Sequence, residues 1–120
     1  VYERAPQFSL AVSTADYIEI AKRAEDHNIS MGKALRYLIW RALRRPDMWL
    51  RPQHADETEI HDKYIALPIT HTMRMRVACV AGVRKCSTRQ ALRFCLSLGF
   101  DVEDEQFEYV EDDFYANPVD

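Results

Sequence analysis

Glycine is scarce, with three in 120 residues. That excludes a glycine-rich loop of the kind that wraps backbone N–H groups around a nucleotide phosphate. Cysteine is equally rare. Cys79, Cys86 and Cys95 form an odd set with no C-x-x-C pair and no metal-ligand spacing, which excludes a disulfide framework and points to a reducing, cytoplasmic setting. No apolar run approaches the roughly 18–20 residues that cross a bilayer, so no membrane association is expected, and no basic stretch leading into an apolar core marks a signal peptide. The chain opens on Val1 rather than methionine and is read as a piece of a longer or processed protein. Charge of one sign is also missing in places. Between Lys63 and Phe100 there are seven basic residues and no acidic one, and from Asp101 onward nine acidic residues and no Lys or Arg. The formal charge of −3 therefore conceals a basic body, with 16 basic against 10 acidic residues over positions 1–100, and an acidic tail.

What is present is apolar and periodic. Hydrophobic residues make up 48% of the chain, enough for one compact domain or two very small units sharing a core. Laid over itself at an offset of 57, Gln7–Leu43 matches Tyr64–Phe100 without a gap. Phe8, Leu10 and Val12 fall on Ile65, Leu67 and Ile69, Ser30 falls on Ser87, and Ala34-Leu35-Arg36 falls on Ala91-Leu92-Arg93. Each copy begins with a period-2 apolar segment, which predicts a half-buried strand. Ser13 or Thr14, and Thr70 or Thr72, then offer a hydroxyl to a helix start. The first helix of copy one buries Tyr17, Ile20, Ala21 and Ala24, and that of copy two Met73, Val77, Ala78 and Ala81. Asn28 and Lys85 mark a break. Ser30 and Ser87 cap second helices whose buried sides are Ala34, Leu35, Leu38, Ile39 and Ala91, Leu92, Cys95, Leu96. Gly99 weakens the last turn and suggests a helix end.

One strand and two short helices cannot close a core, and a lone strand leaves both edges unpaired. Antiparallel pairing of the two strands with four intertwined helices solves both problems. The expected fold is mainly α with a two-stranded antiparallel β-ribbon, a pseudo-two-fold tandem arrangement. Residues 6–43 and 63–100 are the repeats, 101–120 the acidic tail, and 44–62 a polar linker that extends to about 60 Å.

Strand, helix and Ser-capped helix resemble the ribbon-helix-helix family of DNA-binding proteins, and Pro6-Gln7-Phe8-Ser9-Leu10 resembles the opening of the ribbon in its Arc-like members. Two copies in one chain resemble the tandem subgroup found among accessory proteins of plasmid and T-DNA transfer. The resemblance implies a ribbon that enters the major groove, with outward side chains reading base edges. Those would be Gln7, Ser9 and Ala11 on one strand and Tyr64 and Ala66, beside Pro68, on the other. Gln7 matches a reading residue of the family, but Ser9 and Ala11 stand where Arc-like ribbons carry Asn and Arg. With no Arg or Asn to grip a base, low sequence specificity is expected. Phosphates are expected at the starts of the second helices, where free N–H groups and the helix dipole attract anions. Ser30 and Lys33 sit at one start, and Lys85, Ser87, Arg89 and Gln90 at the other. Arg74, Arg76 and Arg84 extend the basic face, while Arg36 and Arg93 suit a structural role.

The expected partner is double-stranded DNA, with single-stranded DNA a second candidate, bound by a monomer that is its own pseudo-dimer. Two other readings stand beside this one: a sequence-specific repressor, and an antitoxin-like module whose acidic tail, with Phe107, Tyr109, Phe114 and Tyr115 among its carboxylates, engages a protein. No cofactor or metal is expected, because His54, Asp56, Glu59 and His61 match no zinc spacing. Nor is catalysis, because His71 and Ser87 have no third partner in sight.

Overall fold

The computed structural model describes residues 7–52 and 60–102. Four helices pack around a two-stranded antiparallel sheet, as the pattern predicts. The order is β1 (Gln7–Ser13), α1 (Thr14–His27), α2 (Met31–Leu43), β2 (His61–Pro68), α3 (His71–Arg84) and α4 (Thr88–Val102), with a 3-10 turn at Pro46–Met48. No helix among the described residues is long and apolar enough to cross a membrane.

The strands form because alternate residues have a core to enter. Leu10, Val12, Ile65 and Leu67 are buried, while Ser9, Tyr64 and Ala66 are exposed. Phe8 pairs with Leu67, Ser9 with Ala66 and Leu10 with Ile65. The ladder slips by one residue after Val12, and such an irregularity bends the chain. There Ser13, itself buried, accepts a hydrogen bond from the N–H of Asp16 at 3.1 Å and starts α1. Thr70 does the same for α3 through the N–H of Met73 at 3.2 Å.

Both first helices run 14 residues and end on a left-handed residue, Asn28 at φ 54° and Lys85 at φ 56°. Asparagine tolerates that conformation; a lysine there is uncommon. Ile29 N–H then donates to Ala24 O at 2.9 Å and Cys86 N–H to Ala81 O at 3.0 Å, closing the same turn twice.

The core is one cluster, and α2 packs chiefly against α4. Leu35, Leu38 and Ile39 from α2 meet Leu92, Cys95 and Leu96 from α4, all buried as expected. Each large apolar side chain removed from water contributes on the order of 2 kcal/mol. On α3 the buried set differs from the expectation. Met73 and Val77 are inside, but Val80 joins them and Ala78 is exposed, because the helix is rotated to bring the larger side chain inward.

Gly99 also departs from expectation: α4 continues through it to Val102. A Cβ there would lie 2.8 Å from the carbonyl carbon of Leu38, so the glycine allows close approach of α4 to the α2 backbone. In the segment read as a linker, Trp49 folds back, half-buried, and its Nε1 donates to Ala42 O at 3.0 Å. Residues 53–59 and 103–120, and with them His54, Asp56, Glu59 and the aromatic residues of the acidic tail, lie outside the described residues.

Candidate nucleic-acid interface

The exposed face of the ribbon is small and nearly uncharged. Tyr64 is 66% exposed, and Ser9 and Ala66 are exposed opposite one another. Ala11, expected to face outward, is instead buried. Its methyl group is short, its cross-strand neighbour is the large Tyr64, and Arg93 from α4 donates through Nε to its carbonyl at 3.3 Å. That contact gives Arg93 the structural role anticipated for it, as burial does for Arg36. Gln7 is opposite Pro68, and the side chains of both lie outside the described part of the structure. Lys63, exposed at the end of the ribbon, is a cation that sequence reasoning left out of the site. It shares the inward parity of Ile65 and Leu67, which hid it.

The starts of the second helices repeat one chemistry. Ser30 Oγ accepts from the N–H of Lys33 at 3.1 Å, and Ser87 Oγ accepts from the N–H of Gln90 at 3.2 Å. Gln90 closes a reciprocal box, its Oε1 accepting from the N–H of Ser87 at 2.9 Å. Gln90 is therefore a capping residue here, and its carbonyl oxygen is committed to the turn. The first N–H groups of each helix, those of Met31 and Gly32 and of Thr88 and Arg89, precede the first intrahelical donor and point out of the turn. Neither first turn holds an acidic residue of its own, so neither helix opens with the carboxylate that commonly complements the positive end of the dipole. Lys33 is half-buried, and Lys85, Ser87 and Arg89 are exposed.

Helix geometry ties one of these starts to the ribbon. Arg93, which bonds β1, lies six residues beyond Ser87, about 9 Å along α4. The cap, the dipole end and Arg89 thus stand within about two turns of a residue that touches the ribbon. The arginines of α3 are dispersed instead. Arg74 is exposed. Arg76 lies over the Trp40 ring at 5.0 Å and Arg84 over Phe94 at 3.7 Å. Arg84 also donates to Trp49 O at 2.9 Å and Arg51 O at 2.7 Å, which makes it a clamp on the segment after α2 and removes it from the basic face.

Two titratable groups with displaced equilibria sit in the scaffold. Burial pushes the Cys95 thiol up to about 12, in keeping with a small core side chain. The hydrogen bond from Arg23 holds the Glu19 carboxyl below its ordinary value, with Lys22 assisting. Among the described residues, no group of three or more His, Cys, Asp or Glu could hold a metal ion. Comparison with known proteins finds no matching family model, no matching curated protein and no matching solved structure.

Proposed function

We propose that the chain is a tandem ribbon-helix-helix module that binds duplex DNA through phosphates with low sequence specificity. The recurrence of features at an offset of 57 supports the reading. Ser9 and Ala66, which are 57 residues apart, pair across the ribbon, with Phe8–Leu67 and Leu10–Ile65 on either side. The left-handed residues and the serine caps recur at the same offset. In size and architecture the chain resembles the C-terminal domain of the single-chain virulence-region C protein of agrobacterial T-DNA transfer, which suggests an accessory role in DNA processing or transfer.

The observation that carries the DNA reading is the pair of serine-capped helix starts, each free of acid in its first turn and each with a cation alongside. An oxyanion meets N–H donors, a dipole and a positive side chain there at once. Low specificity follows from an outer ribbon face of Ser9, Tyr64 and Ala66, which has no Arg or Asn to form a bidentate contact with a base.

A salt titration of binding to unrelated duplexes tests this. Each neutralised phosphate contributes about −0.9 to the slope of log K against log salt, so one phosphate at each of the two helix starts predicts a slope of about −2 or steeper. Absence of binding even at low salt refutes the proposal, and a strong preference for one operator over bulk DNA favours a repressor instead.

A further inference from the structure

The outer face of α3 is apolar without being covered. Its core side is Met73, Val77 and Val80. Opposite them, Met75 is 57% and Val83 44% exposed, with Ala78, Cys79 and Gly82 exposed between them. At 100° per residue these five share one stripe, with Arg74 and Arg76 on its two flanks and Lys85 beyond its end. A Cβ on Gly82 would meet nothing within 4 Å. At the same offset of 57, α1 carries Lys22, Glu25 and Asp26 where α3 has Cys79, Gly82 and Val83. The outer face of α1 shares an exposed apolar residue at the Met75 position, Ile18 at 51%, but is charged at these three positions where α3 is apolar. A helix apolar on both sides is one that something covers.

We propose that this face of α3 is the docking surface for the chain's own residues 103–120. That segment carries eight acidic residues and no Lys or Arg, with Phe107, Tyr109, Phe114 and Tyr115 among them. Aromatic rings match the apolar stripe, and carboxylates match Arg74, Arg76 and Lys85 on its borders. The segment departs from a fixed point, because Arg41 donates to Val102 O at 2.6 Å and Arg51 pairs with Asp101 at 3.3 Å. It departs from α4, which packs directly on α3. Eighteen residues reach about 60 Å when extended, against roughly 21 Å for the length of α3. Tethering supplies a high effective concentration, so modest contacts suffice. A second copy of the chain is a poorer occupant, since two such faces would oppose Arg74, Arg76 and Lys85 to the same charges.

Cys79, inside the stripe, reports on occupancy without any DNA, so this test and that of DNA binding fail independently. Its alkylation by iodoacetamide, assigned by peptide mass, is compared between the full chain and the full-length variant F107S/Y109S/F114S/Y115S, which keeps every charge. We expect Cys79 to react at least about fivefold faster in the variant, as population of an uncovered face requires. Nuclear Overhauser contacts between the Met75 methyl group and aromatic protons of 103–120 are expected in the unaltered chain, which keeps the test valid should the variant fold poorly. Equal rates in a folded variant, absence of those contacts, or protection that rises with chain concentration and so marks a second copy, overturns the proposal.

Discussion

A methyl group added at position 99 would run into the backbone of Leu38. The intrinsic preference of the helix argues the other way, since Ala is favoured over Gly by about 1 kcal/mol inside a helix. Overpacking a close helix contact costs typically ~1–3 kcal/mol, and backbone atoms cannot move aside as a flexible side chain can. Gly99→Ala is therefore expected to lower stability by about 1–2 kcal/mol, a fall in Tm of several degrees for a domain of this size. Thermal unfolding followed by circular dichroism checks it, and an unchanged or raised Tm would mean that α2 and α4 lie farther apart. Composition alone suggests a breaker at Gly99. The close approach that makes the residue necessary involves a chain segment sixty residues away and is not written locally. Ala11 is a similar case. Period-2 alternation assigns its face, but Arg93, from the far end of the chain, covers its carbonyl.

At the scale of the element, the helix starts were legible because capping is local chemistry. Ser13, Ser30, Thr70 and Ser87 each accept from the N–H three residues on, and the signal for each lies within four residues. The long-range clamp was not legible. Arg84 looked like one more surface cation, yet it holds Trp49 O and Arg51 O across more than thirty residues. The rotation of α3 was missed for a related reason: Ala78 and Val80 both fit an apolar face, and only the packed neighbours decide between them. The caps also allow stability and phosphate contact to be separated. Asp caps a helix as well as Ser does, and its charge suits the dipole, but it repels a phosphate. Replacing both serines, Ser30→Asp with Ser87→Asp, is expected to leave Tm equal or slightly higher. The same change should weaken duplex binding by roughly tenfold or more, about 1.4 kcal/mol. Tm and a fluorescence anisotropy titration on one preparation read both quantities. Unimpaired binding would remove the helix starts from the interface.

At the scale of the whole molecule, stability is shared between the halves. The ribbon takes one strand from each half, and the principal helix contact joins α2 to α4. Leu35, Leu38 and Ile39 are fully buried in the chain, but with residues 60–102 removed they would lose the α4 surface that covers them. At on the order of 2 kcal/mol for each such side chain, the loss is comparable to the whole net stability of a small domain, about 5–15 kcal/mol. Prepared separately, residues 1–52 and 60–120 are therefore each expected to show little helix at micromolar concentration. Mixed, they should regain the helical signal with a sigmoidal, concentration-dependent melt, because joining two chains forfeits the advantage of the tether. The competing outcome is self-pairing of either half. In residues 60–120 a self-paired ribbon about Ala66 would set Ile65 against Leu67, and in residues 1–52 one about Ser9 would set Phe8 against Leu10. Sedimentation distinguishes a mixed one-to-one complex from self-pairing. A half that folds cooperatively as a monomer would show that the two units do not share a core.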